Sequence, residues 1–141
     1  MAKVLILTTE NAARSQMLEG WLRYYTRNNV VIRSAGLRPC NMDAFAVKAM
    51  IEAVVDIREA KSNTLGELDE THFDQIITLT PLATSEAMSK YPSATVEEAI
   101  FDDPKQATDE EKERLKIYRR SVDEIDDYAF NYAVRKLGLE F

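Results

Sequence analysis

Apolar positions along the chain change period several times, and each change predicts an element. Val4 to Leu7 is a short continuous apolar run, the pattern of a strand buried on both faces of a parallel sheet. After a polar stretch, Met17, Leu18, Trp21, Leu22 and Tyr25 recur at three- and four-residue steps, one face of a helix. Val30, Val31 and Ile32 predict a second strand, closed by Ser34-Ala35-Gly36, and Val47, Met50, Ile51 and Val54 return to helical spacing. Gln75 to Thr80 predicts a third strand, stopped by Pro81, with a short helix over Thr84 to Lys90 that ends before Pro92. Val96 to Phe101 is a weaker fourth strand, and Glu97 and Glu98 put it at a sheet edge.

The last helix has the strongest pattern. Thr108 and Glu111 form a capping box. Leu115, Tyr118, Val122, Ile125, Ala129 and Tyr132 then follow at helical steps until Gly138 ends the run. Strands alternating with helices predict an α/β fold: one domain over residues 1–141, a doubly wound four-stranded parallel sheet with helices on both faces. Ligands of such sheets bind beyond the carboxyl ends of the strands. Three segments meet there: Thr8 to Ser15, Thr80 to Thr84, and Asp102 to Pro104.

Composition narrows the function. A chain of 141 residues, 45% apolar and 30% charged, suits one soluble core. A net charge of −6 argues against nucleic acid or an anionic membrane as the main partner. No apolar run approaches the roughly 20 residues of a spanning helix. No secretion signal is read ahead of the first strand, and the lone Cys40 excludes an intramolecular disulfide, so the expected compartment is the cytoplasm. One histidine and one cysteine argue against a zinc site, and neither metal nor cofactor is expected.

The candidate chemistry lies in Thr8, Thr9, Glu10, Asn11, Ala12, Ala13, Arg14 and Ser15, which join the first strand to the first helix. A loop here can aim several backbone N–H groups at one point, backed by the positive end of the helix. Arg14 can add a bidentate fork for a tetrahedral oxyanion. A polar turn with Ser15 as helix cap explains the same residues, and position alone leaves both readings open.

The run Val4 to Thr8, five residues, then Arg14-Ser15-Gln16-Met17, with Glu19-Gly20-Trp21-Leu22 behind it, resembles the opening of the low-molecular-weight tyrosine phosphatase and thioredoxin-coupled arsenate reductase family. That family's loop is Cys-x5-Arg-Ser, and Asn11, Arg14 and Ser15 match it. Ser34-Ala35-Gly36-Leu37-Arg38-Pro39 is similar to the family's Ser-Ala-Gly-x-x-Pro. Phe73 to Leu79 resembles its third strand, and Phe101-Asp102-Asp103-Pro104 its Asp-Pro loop. The resemblance runs in order over nearly the whole chain. It implies Thr8, Arg14 and Asp103 at the positions of nucleophile, oxyanion clamp and general acid.

The departures bear on the chemistry. The family attacks phosphorus or arsenic with a thiolate, and Thr8 stands at that position. A hydroxyl needs a neighbouring base, and His72, the only histidine, precedes the third strand and belongs at the opposite end of the sheet. The reductases use two more cysteines after that strand. Thr80 stands at the first of these positions, and no cysteine occurs from Pro81 to Pro92. Cys40 matches no redox position and reads as an incidental loop residue. Glu10 replaces a family glycine; its carboxylate either folds inward onto Arg14 and the loop amides or faces solvent. Without a nucleophile, Asp102 and Asp103 read as a solvated turn and cap. The leading expectation is a pseudoenzyme with a degenerate oxyanion loop and a binding or regulatory role. Its partner would be a small oxyanion (phosphate, arsenate or sulfate) or another protein, with a homodimer left open. Phosphatase or arsenate reductase activity by another route, and a flavodoxin-like cofactor binder, are the competing expectations.

Overall fold

The computed structural model describes residues 2–27, 29–58, 60, 62–68, 72–102, 104 and 110–139, apart from the side chain of residue 111. Among these residues lie four strands, β1 (Lys3–Glu10), β2 (Val31–Arg38), β3 (Gln75–Thr78) and β4 (Thr95–Glu98). Four α-helices join them: α1 (Arg14–Thr26), α2 (Ala44–Glu52), α3 (Pro81–Lys90) and α4 (Glu111–Lys136). All strand pairs are parallel, in the spatial order β2-β1-β3-β4. The expected architecture is therefore the observed one, with β4 at an edge.

Alternate residues of each strand serve opposite faces, as the pleat requires. Val4, Ile6, Ile32 and Ile77 join α1, α2 and α4 in one core that also holds Met17, Leu18, Trp21, Leu22, Met50 and Tyr118. Leu5, Leu7, Ala35 and Ile76 face the other way, onto Phe73, Ala83, Ala87 and Tyr91 around α3. Burial on both faces explains why the first strand reads as an unbroken apolar run. Strand order reverses between β1 and β3, which places the topological switch point, where such sheets bind ligands, at their carboxyl ends.

Element boundaries differ from expectation for identifiable reasons. β1 does not stop at Leu7: pairing with β2 continues through Thr8 opposite Gly36 and Glu10 opposite Arg38. β2 likewise runs through Ser34-Ala35-Gly36 rather than ending before it. Backbone pairing satisfies polar stretches as well as apolar ones. β3 ends at Thr78, and β4 at Glu98 rather than Phe101. α3 starts at Pro81, because proline fits the first helical turn, with Thr80 capping it by accepting the Ala83 N–H at 3.2 Å. α2 begins earlier, at Ala44, since buried Asp43 caps it, and stops before Val54, which takes φ +68°. α4 ends where predicted, and Gly138 takes φ +73° just beyond it. Thr108 lies outside the described residues. Unforeseen were a 3₁₀ turn at Leu65–Glu67 and a bridge from Thr64 to Gly36, which cover the end of β2.

Candidate functional site

The segment Thr8 to Ser15 sits at the carboxyl end of β1, next to β3, but most of it is not loop. Thr8, Thr9 and Glu10 belong to β1, and Arg14 and Ser15 to the first turn of α1, leaving Asn11, Ala12 and Ala13 as the connection. The correction follows from the extended β1–β2 register.

Thr8 is buried, 2% exposed. No carboxylate, imidazole or amine among the described residues hydrogen-bonds it. Thr9 reaches across the switch point, and its Oγ1 lies 2.9 Å from Oγ1 of Thr80. One hydroxyl bond thus ties the end of β1 to the cap of α3. Glu10 is exposed and its carboxylate bonds neither Arg14 nor any other described residue, so of the two readings it takes the solvent one.

Asn11 is the hub, and it is fully buried. Its Nδ2 donates to Ser34 Oγ at 3.1 Å, and its Oδ1 accepts from Ser15 Oγ at 2.6 Å. Ser34 Oγ in turn donates to Glu19 Oε1 at 2.5 Å. Glu19 Oε2 takes a fork from Arg23, at 3.0 Å from Nε and 2.7 Å from Nη2. The Asn11 carbonyl accepts from Ser62 Oγ at 2.5 Å. Five side chains therefore run as one hydrogen-bonded chain from Ser15 to Arg23, and a satisfied buried network of this kind holds its backbone rigid. Gly36 completes the packing. A Cβ there would lie 2.7 Å from the Asn11 nitrogen and 3.2 Å from Glu10 Cα, so only glycine lets β2 approach the turn.

The cradle's own donors are partly committed. The Ala12 N–H donates to the Glu10 carbonyl at 2.9 Å, and Arg14 Nη1 donates to the Phe101 carbonyl at 3.0 Å. Arg14 thereby brings the segment after β4 to the same end of the sheet. Asp103 lies outside the described residues; Asp102 is exposed. His72 is exposed at the amino-terminal end, 3.2 Å from Asp74, which itself accepts the Lys3 N–H that starts β1. Cys40 is half-buried in the loop after β2. Among the described residues no group of three His, Cys, Asp or Glu side chains is placed to hold a metal ion, and no helix is long and apolar enough to cross a membrane.

Asn11, Arg14 and Ser15 stand out in the sequence, but Ser62 and the 62–64 crossing strap do not. Isolated polar residues in a connection carry no periodic signal. Glu19 and Ser34 were visible only as parts of matching stretches.

Comparison with known proteins agrees with this geometry. Residues 3–138 match the family described as low molecular weight phosphotyrosine protein phosphatase. The arsenate reductase of Bacillus licheniformis is 33% identical over 130 residues, covering 92% of this chain and 94% of that protein. The arsenate reductase of Bacillus subtilis is 32% identical over 130 residues, with the same coverage of 92% and 94%. Among solved structures, an arsenate reductase in its oxidised state matches with a TM-score of 0.81 at 21% identity, covering 96% of this chain and 98% of that one. A low molecular weight protein tyrosine phosphatase from T. tengcongensis gives 0.79 at 19% identity, covering 96% and 99%. Those two likenesses show the fold, and the sequence matches carry the assignment further. With an Asn-x-x-Arg-Ser turn at the switch point, braced by Ser34 and Gly36, the chain belongs to the low molecular weight phosphotyrosine protein phosphatase family.

Proposed function

We propose that this chain is a cytoplasmic family member without the family's covalent chemistry, retaining the oxyanion loop in degenerate form for a binding or regulatory role. The observation that carries the reading is Thr8. A buried hydroxyl at the end of β1, with no base bonded to it, remains protonated and is a poor nucleophile. The only thiol, Cys40, lies in the loop after β2. A disulfide relay within one chain requires at least two thiols, and the sequence has one. The anion cradle is weakened too, since the Ala12 amide and one Arg14 nitrogen are engaged by backbone carbonyls. A small oxyanion (phosphate, arsenate or sulfate) or a partner protein would be the ligand.

The test is turnover by purified protein of an aryl phosphate, and of arsenate with thioredoxin. The expected result is none above background. Robust turnover that Arg14→Ala abolishes would overturn the reading. Thr8→Cys supplies the missing nucleophile at the amino-terminal end of α1, where its pKa is expected below the free value of about 8.5. Slow aryl phosphate hydrolysis should then appear.

A further inference from the structure

The outer side of β4 is a sheet edge. The Thr95 N–H donates to the Asp74 carbonyl at 3.0 Å and the Ala99 N–H to the Thr78 carbonyl at 2.8 Å, so alternate residues from Thr95 to Ala99 face β3. Backbone groups alternate sides along a parallel strand, which turns the N–H and C=O of Val96 and Glu98 outward. Among the described residues nothing bonds these four groups. A row of open donors and acceptors is a template for one more strand.

Beside that edge, between β4 and α3, runs a groove of about 380 Å³. Met88, Tyr91, Ala94 and Val96 give it apolar walls, and Met88 is 63% exposed. Ile100, 59% exposed, follows two residues beyond β4. Glu98 is the one charged residue lining the groove among the described residues. Its carboxylate is exposed and bonds the Thr84 hydroxyl at 2.6 Å, with no described cation paired to it. Residues 81–102, which make both walls, hold four Asp and Glu against one Lys. The wider setting has the same sign: residues 65–141 hold nine Lys and Arg against eighteen Asp and Glu, and residues 1–64 nine against six.

We infer that the β4 edge is a docking site for an extended segment of a partner protein, which adds to the sheet as a further strand and carries basic and apolar side chains on one face. Its backbone pairs with Val96 and Glu98. Side chains two residues apart share a face, so an apolar residue opposite Val96 lies against Met88 while a lysine or arginine opposite Glu98 meets the unpaired carboxylate. A second copy of this chain fits less well, because its own Glu97 and Glu98 would come to an edge that is already acidic. The surface does not depend on the oxyanion loop binding anything.

The probe is a blocked heptapeptide with leucine at its centre, lysine two residues to either side and threonine elsewhere, which fits the edge in either strand direction. Titration calorimetry should give a dissociation constant on the order of 0.1–1 mM, and amide shifts should map to 84–100. The same peptide with glutamate for lysine, or with every backbone N–H methylated, should bind about tenfold more weakly or worse. Glu98→Lys, at an exposed position, should weaken binding by about tenfold, and Met88→Asp, also exposed, by about fivefold. Val96→Pro removes an outward N–H without breaking the ladder to β3 and should abolish binding; circular dichroism checks its fold, and the two exposed variants carry the test if it does not fold. Absence of saturable binding, shifts confined to another face, equal binding of the methylated peptide, or unchanged affinity in Glu98→Lys would each overturn the inference. So would concentration-dependent dimerisation, followed by light scattering, that Glu98→Lys or Met88→Asp alters, because it would seat a second copy on this edge.

Discussion

At the scale of single residues, the site is organised by what does not fit elsewhere. Asn11 is buried because five partners satisfy its polar atoms at once; the same residue unpaired would cost several kcal/mol. Gly36 is glycine because the Asn11 backbone occupies the space a Cβ needs. Gly36→Ala should therefore destabilise the fold by about 1–3 kcal/mol, measured by urea denaturation. A loss under about 0.5 kcal/mol would mean that β2 and the turn separate easily. Val54 predicts the opposite sign. Val54→Gly relieves the left-handed strain of about 1–2 kcal/mol, less the extra freedom of glycine in the unfolded chain. A rise in stability of about 0.5–1 kcal/mol is expected, read as a higher urea midpoint at constant slope. Neither site is legible from composition. Gly36 stands in the sequence only as part of Ser34-Ala35-Gly36, and Val54 falls on the helical spacing of Val47, Met50 and Ile51, because αL geometry at a helix end leaves no mark on a valine.

At the scale of elements, helix ends fix how the layers meet. Asp43 accepts the Phe45 N–H at 2.9 Å and also the Tyr118 hydroxyl at 2.5 Å, so one carboxylate caps α2 and anchors it to α4. Asp43→Ala should cost about 2–3 kcal/mol, the cap plus the lost Tyr118 bond. Tyr118→Phe should cost about 1 kcal/mol, removing the hydroxyl together with its need for a partner. Thermal melts of both variants separate the two contributions. Equal losses would place the whole effect in the Tyr118 contact. The stripe from Leu115 to Tyr132 announced α4 because a long amphipathic helix repeats its signal many times. α2 begins three residues before its first predicted apolar position, since Asp43 determines the start by capping and not by hydropathy.

At the scale of the whole molecule, charge is divided unevenly, and the acidic part carries its own bracing. Glu97 on β4 accepts from Tyr128 and is paired with Arg135 at 3.1 Å, tying α4 to the edge of the sheet. Burial pushes the Glu97 carboxyl up, but the bonds from Arg135 and Tyr128 and the Arg135 charge outweigh it and leave it lowered. The Lys3 N–H and His72 lower Asp74 in the same direction. Carboxyls lowered by folding stabilise above their unfolded pKa, which is 4.5 for glutamate. That contribution is lost as pH falls through the folded values. Melting temperature should therefore be nearly level across neutral pH and fall below about pH 4.5. Glu97→Gln should flatten part of that slope. An unchanged acid slope in the variant would show that the edge pairing contributes nothing.

The sequence by itself determined the parallel α/β sheet, its four α-helices among the described residues, the edge position of β4, and a single cysteine outside the Thr8–Ser15 segment. Each rests on local physics: hydrophobic period, β-branched runs, turn residues, and residue identity at a motif position. Tertiary structure decided the rest. It carried β1 three residues past its apolar run, turned Glu10 to solvent, drew Arg14 to the Phe101 carbonyl, and made Asn11 the centre of a buried network. It also brought residues 54–57, 60 and 63 against α1 to form a flank cavity. These depend on strand register and on contacts between segments about twenty to ninety residues apart, and no local pattern encodes a partner at that distance.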